Sequence, residues 1–171
     1  MNIHNIPSEL RTLFQWVGWR RRPDPKHPDK PHKVPVKVNP KPLAGAQYQE
    51  ASSTNRHDWS TFDHAIAALE AGKVAGIGFV FSGDDGYFGI DLDNCIVEGV
   101  IATEARRIID MFPGAYWEVS PSGNGVHGIG KGRKPEGAGC KIKTPWPGVG
   151  AIEIYHHARY FTVTGEKVAQ R

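Results

Sequence analysis

Tyr87-Phe88-Gly89-Ile90-Asp91-Leu92-Asp93 alternates two acids with apolar residues. In an extended segment successive side chains point to opposite faces, so Ile90 and Leu92 are expected in a core while Asp91 and Asp93 project together from the other side. Two carboxylates held that close repel each other unless a cation lies between them, and hard divalent ions such as Mg²⁺ favour oxygen ligands of this type. The pair is a candidate metal site; an ordinary solvated strand face ending in an acidic turn is the other reading. The choice depends on what the rest of the chain sets beside it.

Outward from this strand, the apolar run 76–81 predicts another strand and 82–86 a tight turn, which puts the two aspartates on the second arm of a hairpin. Upstream, Ser60 stands three positions before Asp63, a capping-box-like start to a helix whose apolar face is Phe62, Ala65, Ile66 and Leu69 and whose stop is Gly72. Downstream, Ala105, Ile108, Ile109 and Phe112 form the stripe of a helix over 103–111. Further strands are expected over 115–120, Val126–Lys131, Ala151–Tyr155 and 159–164. Nearer the amino terminus, 8–14 predicts a short helix and 15–20 a strand, followed by a Pro-, Lys- and His-rich loop over 21–33. Pro35 marks 33–38 as an edge strand, and 40–58 has no period and predicts a long loop. Helices flanking largely antiparallel strands make the fold class α+β.

The chain of 171 residues is long enough for one domain with a sizeable core, alone or with a smaller module. Its formal net charge of +3 is compatible with a polyanionic partner but too mild to imply one unaided. Positive charge gathers in Arg20-Arg21-Arg22, at Lys26, Lys30 and Lys33, and at Lys131, Arg133, Lys134, Lys141 and Lys143, where solvated loops are the competing explanation. Cys95 and Cys140 lack zinc-ligand spacing and form no disulfide framework, so no zinc is expected. With no signal-like amino terminus and no apolar run of membrane-spanning length, a cytoplasmic location and no membrane partner are expected.

Two more segments carry chemistry. Glu118-Val119-Ser120-Pro121-Ser122-Gly123-Asn124-Gly125-Val126-His127 is a strand entering a Gly-rich turn and leaving through a histidine. Gly123 and Gly125 allow backbone N–H groups to face an anion, Ser122 can donate a hydroxyl hydrogen bond, and His127 can contact a phosphate oxygen. A plain hairpin turn with a structural histidine accounts for the same residues. Ala151-Ile152-Glu153-Ile154-Tyr155 again sets an acid between apolar residues, predicting Ile152 and Ile154 buried and Glu153 on the open face with Ala151 and Tyr155, able to face the aspartates. Arg159, opening the next strand, suits bidentate phosphate contact. Trp19, Trp117 and Trp146 are candidates for base stacking, although core packing is the expected role for most of them.

In this order, D-x-D, then S-x-x-x-x-H, then apolar-Glu-apolar, the chain resembles the primase-polymerase branch of the archaeo-eukaryotic primase superfamily, found in replication proteins of phages and plasmids. Ile90-Asp91-Leu92-Asp93, Ser120 to His127, and Ile152-Glu153-Ile154-Tyr155 are similar to its three motifs. Arg159-Tyr160-Phe161-Thr162-Val163-Thr164-Gly165, Trp16-Val17-Gly18-Trp19, Lys33-Val34-Pro35 and Ser52-Ser53-Thr54 extend the resemblance along nearly the whole chain. It implies one catalytic domain over 1–171, with an αβ module over 1–74 and a core related to RNA-recognition-motif folds over 75–171, the active site lying in the cleft between them. It also implies that Asp91, Asp93 and Glu153 hold two Mg²⁺ or Mn²⁺ ions and that Ser122, His127, Arg159 and Lys33 contact the triphosphate. Lys131, Arg133 and Lys134 are expected on template or primer backbone. The implied partners are a single-stranded DNA template, a DNA or RNA primer and nucleoside triphosphates, and the implied setting is a longer replication protein with a helicase domain or subunit. A two-metal nuclease and an inactive nucleotide- or DNA-binding module of the same fold remain the alternatives.

Overall fold

The computed structural model describes residues 1–28, 31–39, 48–144, 146 and 148–169. Lys30 and the 40–47 part of the expected long loop lie outside them. The chain divides into two units, one built from the described residues of Ser8–Val80 with Arg159–Thr162, the other from those of Met1–Pro7, Phe81–Ala158 and Val163–Arg171.

The first unit holds α1 (Ser8–Arg11), β1 (Trp16–Arg22), β2 (His32–Val36), α2 (Phe62–Glu70) and most of β3 (Gly76–Ser82). Trp16 organises it. Its indole N–H donates to the Leu10 carbonyl at 2.9 Å, and its ring meets Phe62 and Phe79 edge-on at 4.9 and 5.5 Å. Strand β1 pairs antiparallel with β2 and β3. Strand β2 is the sheet's outer strand, as Pro35 suggested, and residues 49–51 run along its free side, where Ala51 N–H donates to the Pro35 carbonyl at 2.9 Å. The expected 21–33 loop is shorter, because β1 continues through Arg22 and β2 starts at His32. The N-cap of α2 is Thr61, not Ser60: Thr61 Oγ1 accepts from His64 N–H, while the Ser60 hydroxyl bonds the His64 ring at 2.9 Å.

Asp58 pins the segment before α2. Lys37 Nζ lies 2.8 Å from Oδ1 and Ser52 N–H donates to Oδ2 at 2.8 Å. Burial alone would raise this carboxyl's pKa, but the Lys37 ammonium and the Ser52 N–H outweigh it and hold it below the ordinary 3.8.

The second unit contains β4 (Tyr87–Asp93), β5 (Ile96–Val97), β6 (Val100–Ile101), α3 (Thr103–Asp110), β7 (Tyr116–Val119), β8 (Val126–Lys131), β9 (Lys141–Lys143) and β10 (Ala151–Tyr155); β11 (His157–Val163) starts there and continues into the first unit. The five-stranded sheet has the order β7-β8-β4-β10-β9, with every neighbouring pair antiparallel. Its core cluster contains Ile90, Leu92, Trp117 and Val126 from the strands and Ala105, Ile108 and Ile109 from α3, with Phe112 packed against it. The alternation read in 87–93 therefore holds: Ile90 and Leu92 are buried, and the aspartates take the other face.

The hairpin expected from 76–93 does not form. Strand β3 belongs to the sheet β11-β3-β1-β2, and β4 pairs with β8 and β10. The turn itself is present, with Asp85 accepting from Ser82 N–H and Tyr87 N–H at 3.1 and 2.7 Å. It is a crossing between sheets. Asp58→Asn is expected to lower stability by about 1–3 kcal/mol at neutral pH, the cost of weakening a buried, charge-assisted contact. Because the folded carboxyl titrates lower than the unfolded one, its contribution is present above the ordinary value and fades as pH falls. Denaturant curves of the two proteins should therefore converge below about pH 3.8.

Candidate functional site

Antiparallel register lines up one row of titratable side chains across the five-stranded sheet. Lys141 of β9 lies opposite Glu153 of β10, Glu153 opposite Asp91 of β4, Asp91 opposite His127 of β8, and His127 opposite Glu118 of β7. Directly opposed residues share a face, so all five project from the side away from Ile90 and Leu92. Asp93 lies on that face two pairs along, opposite Ala151.

Polar contacts run along the row. His127 Nε2 lies 3.6 Å from Asp91 Oδ1. The Lys141 ammonium bonds Glu153 Oε1 and lies 3.9 Å from Asp93 Oδ2, while Tyr155 O–H donates to Glu153 Oε2 at 2.7 Å. The bond to Glu153 raises the Lys141 pKa above the ordinary lysine value, with smaller support from the charges of Asp93 and Asp91. Glu153 was expected on an open face; its side chain is only 8% exposed, against 17% for Asp91 and 45% for Asp93. Ile152 and Ile154 are half-buried against the core cluster instead of enclosed in it. Alternation assigns a side to each residue, but the depth of that side depends on what packs over it.

The Gly-rich turn sits at the carboxyl end of β4. Asn124 Nδ2 donates to Asn94 Oδ1 at 3.1 Å, and Ile96 N–H donates to the Asn124 carbonyl at 3.0 Å. Gly125 comes so close to β4 that a Cβ there would lie 2.9 Å from the Leu92 carbonyl oxygen. Gly123 takes the left-handed backbone, at φ 79°, and donates its N–H to the Ser120 carbonyl, so that group serves the turn and is not aimed at an anion. The exposed Ser122 hydroxyl bonds Ser120 Oγ at 2.9 Å and Asn124 Oδ1 at 2.5 Å.

The other expected residues are distributed differently. Lys131 ends β8 opposite Tyr87, with Arg133 exposed in the loop beyond it and Lys134 bonding the Ala138 carbonyl. Lys33, opposite Arg21 on β2, and Arg159, on β11, belong to the first unit. Trp19 and Trp117 are buried and Trp146 is exposed.

Glu118 is the residue that sequence reasoning missed. Only 1% exposed, it accepts from Tyr116 O–H at 2.7 Å and from the N–H groups of Thr164 and Gly165 at 2.9 Å each. Burial pushes its pKa up, and these donors together with His127 pull against that rise. It clamps the segment after β11 onto β7, where Glu118 and Lys167 form a β-bridge. A glutamate between Trp117 and Val119 gives no local sign of such partners.

Among the described residues, no group of three or more His, Cys, Asp and Glu is already gathered to hold an ion. The donor chemistry nonetheless suits a hard divalent cation. Asp91, Asp93 and Glu153 offer carboxylate oxygens on one face of neighbouring strands, and a cation, the Lys141 ammonium, already stands among them.

No family model matches the chain. The DNA Primase-polymerase of Nitratiruptor phage NrS-1 is 35% identical to it over 168 residues, 96% of this chain and 21% of the phage protein. The chain is similar along nearly its whole length to one part of this phage primase-polymerase. It spans about a fifth of that relative's length. Among the described residues, no helix is long and apolar enough to cross a membrane.

Glu118→Gln is expected to destabilise the domain by about 1–3 kcal/mol, because an amide cannot accept from both backbone N–H groups and leaves one unpaired. Tyr116→Phe removes only one of the three donors and should cost about 1 kcal/mol. Urea unfolding of the two variants checks this order.

Proposed function

We propose that this domain carries out template-directed nucleotidyl transfer from nucleoside triphosphates to a 3′-hydroxyl in DNA replication. The observation that carries this reading is the register setting Glu153 directly opposite Asp91, with Asp93 on the same face and His127 beside Asp91. The named activity of the phage relative supports it. Asp91, Asp93 and Glu153 are the residues that would hold Mg²⁺ or Mn²⁺. Such ions, when bound, lower the pKa of an attacking hydroxyl and neutralise the triphosphate and departing pyrophosphate.

The protein's own part is positioning and charge placement, for which no protein nucleophile is needed. The register keeps Asp91 and Glu153 side by side, and the Tyr155 hydroxyl holds one Glu153 oxygen in place. His127 and the Ser122 hydroxyl are assigned to the triphosphate, with Arg159 and Lys33 as further phosphate contacts. The Asn124–Asn94 bond ties the Ser122 turn to the end of the strand carrying the acids. Lys131, Arg133 and Lys134 are assigned to nucleic-acid backbone, where a positive charge replaces condensed counterions. A helicase domain or subunit is the proposed replication partner.

One observation favours a second reading, a binding module without activity: Glu153 is engaged by Lys141 and Tyr155. Incubation with primed and unprimed single-stranded DNA, deoxy- or ribonucleotides and Mg²⁺ or Mn²⁺ separates the readings. Metal-dependent extension is expected, reduced about 100-fold or more in Asp91→Ala with Asp93→Ala, in line with losses on removing a group that stabilises transition-state charge. Binding without extension would establish the module, and metal-dependent cleavage a nuclease. Replacing Lys131, Arg133 and Lys134 by alanine should weaken single-strand binding irrespective of sequence. It should also flatten the log–log salt dependence by about 2, at roughly 0.7 per phosphate contact.

A further inference from the structure

Lys141 lies on the outer strand of the five-stranded sheet, where all three residues of β9 are exposed. Its side chain is 51% exposed, yet its ammonium bonds Glu153, whose side chain is 8% exposed, and reaches to within 3.9 Å of Asp93. An ordinary surface ion pair joins two exposed partners and contributes little. Here a largely solvated stem delivers its charge to a buried carboxylate with two more acids on the same face, where like charges directly opposed on paired strands destabilise the sheet. The His127 ring lies beside Asp91 on the other side, and the Lys141 ammonium stands beside Glu153 and Asp93.

We propose that Lys141 is a built-in counter-cation that occupies Glu153 before any divalent ion is bound and competes with that ion for the same carboxylate. This rests on reading Asp91, Asp93 and Glu153 as the metal-holding residues. A divalent ion arriving at Glu153 meets the repulsion of the ammonium already bonded to Oε1, so metal binding is opposed as long as Lys141 stays there. Its edge strand and exposed stem let it withdraw without disturbing the core. Lys141 is thus a positioning residue: it keeps the carboxylates charged and together, and it sets the affinity at which metal is accepted.

The test is titration of the intact chain with Mn²⁺ alone, without nucleotide or DNA, following free Mn²⁺ by electron paramagnetic resonance. Lys141→Met, which keeps the stem and removes the charge, is expected to bind Mn²⁺ about tenfold more tightly than wild type, as loss of a partly screened competing charge at contact distance implies. Lys141→Gln serves as a second neutral variant with the same expectation. Lys141→Arg should stay within about twofold of wild type, since it keeps the charge that competes. Mn²⁺ uptake that Asp91→Asn abolishes, but that is equal or weaker in both neutral variants, would overturn the role of Lys141 and leave the metal reading standing. Tightening as large in Lys141→Arg as in Lys141→Met would overturn it as well. If neither wild type nor the neutral variants take up Mn²⁺, or if uptake is indifferent to Asp91→Asn, the metal reading fails and the Lys141 proposal falls with it.

Discussion

The alignment of β10, β4 and β8 governs everything else in the second unit. It is held by the buried face, where Ile90, Leu92, Trp117 and Val126 pack with α3 and where the Trp117 ring lies against Gly128 so closely that a Cβ there would come within 2.6 Å of it. A slip of one residue would turn Ile90 and Leu92 to the charged side and bring Asp91 and Asp93 into the core. The apolar side therefore dictates a pairing that the polar side would reject on its own, since Asp91 and Glu153 stand opposite each other with like charges. The Lys141 ammonium at Glu153 and the His127 ring beside Asp91 offset that cost locally. A sheet built for stability alone would not place two acids there, and such local conflicts gather at functional sites.

What could be read from the chain follows the range of the forces involved. The face of Asp91 and Asp93, the limits of β8 and β10 and the apolar stripe of α3 depend on neighbours within a few residues, and they were legible. Whether β3 and β4 pair depends on partners dozens of residues away: β1 for one, β8 and β10 for the other. A tight turn between two apolar runs looks the same for a hairpin and for a crossing. The burial of Glu153 escaped for the same reason. Lys141, in a three-residue strand with no buried side chain, and Glu118, whose partners are Thr164 and Gly165, had no periodic or motif signal to reveal them. The shift of the α2 cap from Ser60 to Thr61 is of another kind, because two adjacent hydroxyl residues offer the same chemistry and only backbone geometry chooses between them.

The row of charges also divides the work between its ends. At one end Glu118 is enclosed, with all its donors inside the fold, and it acts as a structural fastener for the segment after β11. At the other end Lys141 and Asp93 are close to half exposed. Four members of the row, Glu118, His127, Asp91 and Glu153, are largely enclosed, and Lys141 on the outer strand is the one whose stem is half exposed. An acid at the tight end cannot be recruited by a ligand without breaking backbone contacts, while a base at the loose end can.

The placement of β9 has a further effect on how the molecule behaves among copies of itself. A short outer strand presents unpaired peptide groups that invite another chain to add on, and lysines on such a strand discourage the addition by repulsion and by the cost of stripping water from their ammonium groups. Lys141 and Lys143 flank Ile142, the exposed apolar residue there. The lysine that neutralises the acids thus also guards the open end of the sheet, which ties colloidal behaviour to the electrostatics of the site.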